Sequence, residues 1–187
     1  MGTKVKLKNV RLFFNDLFKA VEFKAGDGRP RFSATVGISK TDKAQIAVVE
    51  AAILEVATEA WKGKAKAHIE SYRNDAGKFC FKDGDKQTWD GAEGCMVLAA
   101  HRQAKDGRPY VVDQRKVQVD DDGTIYSGCY VNASMEIWAQ TGENPGIRCG
   151  LLGIQKCGEG DAFTGASKAD PNDFDDLGDG TDDEDLA

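Results

Sequence analysis

Few residues in this chain are spaced for covalent chemistry. It holds two histidines, His68 and His101, far apart in sequence, which leaves little for general acid–base work. No Walker motif, G-x-G-x-x-G, H-E-x-x-H or G-x-S-x-G occurs. Cys80, Cys95, Cys129, Cys149 and Cys157 form no C-x-x-C pair, so free thiols in a reducing compartment are expected rather than a zinc site. The acidic turn Asp120-Asp121-Asp122-Gly123 fails as a calcium loop. With Gly123 as its glycine, the first ligand position is Gln118 and the last is Cys129. Asp113 and Glu136 are the only loose candidates for a two-metal nuclease, and a lone strand carboxylate is usually solvated. An enzyme is not expected.

Non-covalent chemistry remains. Ile125 to Trp138 has a period of two, with Cys129, Val131, Ala133, Met135 and Ile137 on one side. Tyr126, Gly128, Tyr130, Asn132, Ser134, Glu136 and Trp138 fall on the other. A long strand would bury the first set. It would offer flat rings among small neighbours on its second face, a platform for planar ligands such as nucleobases. The bland alternative is packing of those rings under a loop or helix. Candidate stacking rings are Tyr126, Tyr130, Trp89, Tyr72 and Phe13, with Arg11, Arg31, Arg73, Arg102, Arg108, Arg115 and Lys116 as candidate phosphate contacts. Lys and Arg beside such rings would neutralise phosphates and make binding salt-sensitive.

The elements that must carry these groups are mostly strands. In residues 3–14 the apolar parity flips after Asn9, from Val5 and Leu7 to Val10 and Leu12. That slip predicts a β-bulge and a bent strand, as a small closed barrel needs. Residues 15–25 are mixed; Gly26-Asp27-Gly28-Arg29-Pro30 is a turn, Phe32, Ala34, Val36 and Ile38 alternate after it, and Val21–Lys24 could pair with Phe32–Ile38 as a hairpin across it. The period then changes: Ile46, Val49, Ile53, Val56 and Ala60 make an amphipathic helix over Lys43–Trp61, with Asp42 and Gln45 as its capping pair. A short second helix is expected from Ala65 to Arg73. Further strands are expected at Phe79–Lys82, Gly94–Arg102 and Ile147–Lys156. Trp89 sits in a polar loop, where it either plugs the core or meets a ligand. Asp106-Gly107-Arg108-Pro109 repeats the earlier turn, which turn chemistry alone would explain.

The 187 residues suit one domain with appendages. No apolar run is long enough to span a membrane, and the N-terminus lacks the apolar core of a secretory signal. The net charge of −6 hides a division: nine of the 31 acids lie from Asp170 onward, where no Lys or Arg occurs. The preceding body carries 25 basic against 22 acidic residues. A mildly basic body with an acidic tail suggests polyanion binding and a tail that solvates, recruits a partner or covers the basic surface. Residues 1–160 are read as the folded domain and 161–187 as a disordered acidic tail.

Several stretches together resemble bacteriophage single-stranded DNA-binding proteins. They are Lys6-Leu7-Lys8-Asn9-Val10-Arg11-Leu12, Phe32-Ser33-Ala34-Thr35, Ala51-Ala52-Ile53, Tyr126-Ser127-Gly128-Cys129-Tyr130-Val131-Asn132-Ala133 and Ile137-Trp138-Ala139. Leu151-Leu152-Gly153-Ile154-Gln155 and Asp173-Phe174-Asp175-Asp176-Leu177 look like the family's closing strand and acidic end. The resemblance implies an OB-fold barrel that coats single strands during phage replication and recombination, in the cytoplasm of the infected host. It also implies a tail that contacts replication proteins and competes with DNA for the groove. The chain ends on Leu186-Ala187 rather than on an aromatic residue, so Phe174, with Asp175, Asp176 and Leu177, is the expected docking segment. The expected architecture is mainly β: a five-stranded Greek-key OB barrel with a helical insertion, no cofactor and the acidic tail. Two rival readings keep the fold and change the ligand: RNA, or a protein docked on the aromatic face.

Overall fold

The computed structural model describes residues 1–120 and 123–163. Seven strands and two α-helices follow in the order β1 (Thr3–Glu22), β2 (Pro30–Ser39), α1 (Lys43–Trp61), α2 (Ala65–Tyr72), β3 (Phe81–Asp83), β4 (Cys95–Gln103), β5 (Tyr110–Val112), β6 (Tyr130–Gln140) and β7 (Gly146–Gly158). β1, β2, β4, β7 and β6 close into a barrel, while β3 and β5 lie outside it on β4 and β7. The closing contact is parallel and rests on a single register pair, His101 opposite Gly150. Both α-helices fall between β2 and β4. This is the expected five-stranded OB barrel with a helical insertion.

The parity flip in β1 is a real bulge. Register against β6 shifts between Leu7 and Val10, and Asn9 sits at φ 51°. The Asn9 N–H, thrown out of the ladder, donates to Asn132 Oδ1 at 3.0 Å. The bend lets both halves of β1 point inward, so Val5, Leu7, Val10 and Leu12 are all buried. From β6, Val131, Ala133, Met135 and Ile137 meet them in the core.

Two strand boundaries differ from the sequence reading. β1 does not end near Phe14 but runs to Glu22, because residues that look mixed in sequence still pair with β2 across further register shifts. β6 starts at Tyr130, not Ile125; Gly128 at φ 109° turns the chain there. Tyr126 therefore lies outside the strand that carries Tyr130 and Trp138.

α1 starts as its capping residues require: Asp42 accepts the Gln45 N–H at 3.2 Å. Gln45 in turn holds the bulge, accepting from Lys8 N and donating to Lys8 O. Val49, Ala52, Ile53, Val56 and Ala57 bury against β1 and β6, in one cluster with the barrel interior. α2 stops at Tyr72, one residue before the expected end. Ile53→Ala should cost about 2–5 kcal/mol, the range for removing a fully buried aliphatic side chain, read as a lower urea midpoint with unchanged slope.

Candidate nucleic-acid interface

A groove of about 1010 Å³ crosses the outside of the barrel. The β1–β2 loop (Gly28, Arg29) and the β6–β7 loop (Asn144) flank it. Its floor comes from β2, β4, β6 and β7, through Arg31, His101, Arg102, Glu136, Trp138 and Arg148. An OB barrel takes oligonucleotides on its second and third strands between these same two loops. Here the second and third barrel strands are β2 and β4.

Glycine at 150 shapes the floor. An added Cβ there would stand 3.1 Å from Trp138 Cζ3, so the indole lies across the bare backbone at the seam. Trp138 pairs in register with Arg148 on β7. The Arg148 guanidinium is held by main-chain oxygens, donating to Gly77 O and, at 3.1 Å, to Asn144 O. Arg102 is held alike, with Nε to Gly107 O at 2.8 Å and Nη2 to Asp106 O at 2.5 Å. Neither has a carboxylate partner among the described residues. Carbonyls fix the direction of these cations and leave their charge uncancelled, a preorganised arrangement for phosphate. The two Asp-Gly-Arg-Pro turns thus serve one groove: carbonyls of the second orient Arg102, and Asp27 of the first pairs with Arg31 at 3.6 Å. Arg31 also lies 5.6 Å from the ring centre of Phe23, which is 88% exposed on the β1–β2 loop.

His101 lies in this floor, partly buried. Burial first, then the positive charges of Arg31, Arg148 and Lys82, hold its pKa below the ordinary imidazole value.

A second cluster lies at the opposite end of the β6 face. Tyr130 and Trp138 are eight residues apart, roughly 26 Å at about 3.3 Å per residue. Arg11 gathers this end. Its Nε donates to Gly128 O at 2.7 Å, Nη2 to Asp161 O at 2.8 Å, and Nη1 lies 3.4 Å from the Tyr130 hydroxyl. Phe13 is buried, stacked on Phe163 with ring centres 5.2 Å apart and planes 3° apart. Trp89 packs 6.3 Å from Phe13 and 4.9 Å from Phe14, and Tyr126 bonds Gly160. The loop tryptophan therefore meets a small satellite core, distinct from the barrel interior.

The structure thus places Arg31 and Arg102 in the groove and Arg11, Phe13, Trp89, Tyr126 and Tyr130 together elsewhere. Two expected stacking rings need correction. Phe13 is covered, and Tyr72 is buried in the helical layer, its hydroxyl 3.0 Å from His68 Nδ1 and its ring against Trp61. Arg73 stays on that layer in a two-bond pair with Glu50, at 2.9 and 3.1 Å. Arg108 pairs with Asp120, while Arg115 and Lys116 are exposed on the loop after β5. Sequence reasoning missed Arg148 and His101 as groove residues, and Phe23 as the exposed ring beside Arg31. Trp138 was seen as a platform ring but not chosen as a contact. Phe174, Asp175, Asp176 and Leu177 lie outside the described residues. No described helix is long and apolar enough to cross a membrane.

A closed OB barrel with an open cationic groove across its second and third strands defines a class: oligonucleotide-binding barrels. Comparison with known proteins narrows it. Residues 3–187 match the family described as Enterobacter phage Enc34, ssDNA-binding protein, and the chain belongs to that family. Protein p50 of Acyrthosiphon pisum secondary endosymbiont phage 1 is 37% identical over 176 residues, covering 93% of this chain and 94% of that protein. The fold is similar to the single-stranded DNA-binding protein from bacteriophage Enc34 in complex with ssDNA, with TM-score 0.71, 23% identity, and 86% and 89% of the two chains covered. It is also similar to gp2.5, a single-stranded DNA-binding protein encoded by bacteriophage T7, with TM-score 0.59, 13% identity and full coverage of both chains.

The His101 environment has a consequence for stability. The folded imidazole binds its proton less readily than the unfolded one, so the neutral ring contributes fully above about pH 6.5. That contribution is lost as pH falls, because the unfolded chain takes up a proton the fold resists. His101→Gln should therefore lose less stability than the wild type between pH 7.5 and 5.5, as read from urea titrations at the two values.

Proposed function

We propose that single-stranded DNA crosses the barrel through the groove between the β1–β2 and β6–β7 loops. Arg102, Arg148, Arg31 and Arg29 take phosphates, Trp138 takes a base face, and Phe23, exposed beside Arg31, offers another. The observation that carries this reading is the pair Arg102 and Arg148, both aimed by main-chain oxygens and neither neutralised by a described carboxylate, beside an indole laid over Gly150. Stacking and phosphate neutralisation read no sequence, so the protein coats single strands without base preference. Family membership agrees: this is a phage single-stranded DNA-binding protein family. Arg108, Arg115 and Lys116 remain candidate phosphate contacts further along the strand.

The protein works by binding, not catalysis, during phage DNA replication and recombination in the host cytoplasm. Residues 1–160 form the binding domain. Within residues 161–187, the acidic part recruits replication or recombination proteins, with Phe174, Asp175, Asp176 and Leu177 as the docking segment.

Fluorescence anisotropy with matched DNA and RNA oligomers, single and double stranded, tests the reading. Tight, sequence-indifferent binding to single-stranded DNA supports it. Preference for RNA, or no nucleic-acid binding, overturns it in favour of an RNA-binding barrel or a protein-docking face. Trp138→Ala should weaken binding by about 1–3 kcal/mol, the worth of one stacked base, for all sequences alike. Arg102→Ala should flatten the slope of log affinity against log salt by about 0.7.

From Asp170 onward the tail carries nine acidic side chains and no Lys or Arg. Near a basic groove it competes with phosphates at low ionic strength. Deleting residues 170–187 should tighten DNA binding at low salt and change it little at high salt; equal affinity at low salt would leave recruitment as the tail's only role.

A further inference from the structure

We infer that the Tyr130 end of the β6 face is a second nucleotide subsite, which residues 159–163 of the chain itself fill as a nucleotide mimic. The inference rests on the reading above for its ligand, but on a different part of the surface.

Phe163 stands where a base would. Its ring lies nearly parallel to Phe13, 3° between planes and 5.2 Å between centres, and the Arg11 guanidinium carbon is 4.4 Å from its centroid. The Asp161 carbonyl stands where a phosphate oxygen would, accepting Arg11 Nη2 at 2.8 Å. Two glycines shape the seat for this segment. A Cβ on Gly91 would stand 2.4 Å from the Phe163 ring, and one on Gly128 would stand 2.1 Å from Asp161 O. Across the segment, Gly160 lies against the Tyr130 ring and accepts the same constraint, since a Cβ there would stand 3.1 Å from Tyr130 Cε2. Trp89 and Phe14, the latter 48% exposed, carry the aromatic surface onward from Phe13.

The segment is held by polar contacts around one ring, with Glu159 accepting from the Tyr126 hydroxyl at 2.6 Å and pairing with Lys156. The Phe163 N–H donates to Ser127 O at 2.9 Å, Gly160 N to the Tyr126 hydroxyl at 3.1 Å, and Phe163 is its one large apolar anchor. A nucleotide offers the same flat face and replaces a neutral carbonyl with a charged phosphate, whose hydrogen bonds to guanidinium are roughly twice as strong. DNA that reaches this end therefore displaces the segment and stacks on Phe13. Phe13, buried as the chain stands, becomes a stacking ring only after that exchange.

Hydrogen exchange by NMR on the full chain tests this directly, with and without saturating oligo(dT). The Phe163 amide should be protected in the free protein and lose protection in the complex. Phe163→Ala, full length, should bind oligo(dT) roughly twofold to tenfold more tightly, the worth of one displaced aromatic contact. A Phe163 amide that stays protected in the complex, or a variant that binds no more tightly, overturns the inference. The exchange readout on unmutated protein decides the matter even if the variant folds poorly. If Arg102→Ala leaves binding unchanged while the Phe163 amide is released, the groove reading fails and the subsite stands. If the wild type binds no oligo(dT), both fall.

Discussion

One register pair closes this barrel. His101 on β4 meets Gly150 on β7 in parallel, and the sheet becomes a ring. A Cβ at 150 would stand only 3.1 Å from Trp138, so glycine there lets the indole lie close over the seam. The same closure brings His101 of β4 close to Arg148 of β7, and Arg31 of β2 beside both. Strand closure, ring placement and groove charge are thus one arrangement. Its cost falls on His101, held neutral among cations.

The bulge at Asn9 does the complementary work on the other side. Without it, one half of β1 would turn its apolar residues to solvent. With it, Val5, Leu7, Val10 and Leu12 all reach the core, and the displaced Asn9 N–H and Lys8 backbone are caught by Asn132 and Gln45. Asn132, which looks in sequence like part of a ligand platform, is therefore occupied in holding the bend. The β6 face is divided as a result, with Trp138 at one end, Tyr130 at the other and a structural amide between them.

The arginines sort by what holds them. Arg73 and Arg108 face carboxylates, which cancel their charge; Arg102 and Arg148 face carbonyls, which orient it. Arg11 is of the second kind, held by Gly128 and Asp161. Counting cations along the chain cannot make this distinction between a cation already paired and one oriented with its charge free.

Period-two patterning was enough to identify the barrel strands, the inward set of β6 and the bulge at Asn9, because side-chain direction along a strand is a local property. The α1 stripe and its Asp42 cap were legible for the same reason. The true extent of β1 was not, since residues beyond Phe14 are held by pairing with β2 rather than by their own pattern. Nor was the site. Arg31 and Arg102 were named from charge, but Arg148 and His101 looked ordinary, and Tyr72 looked available although helix packing buries it. Local pattern fixes which way a residue points; only strand closure decides what it points at, because the partners that aim, cover or neutralise a side chain come from elsewhere in the chain.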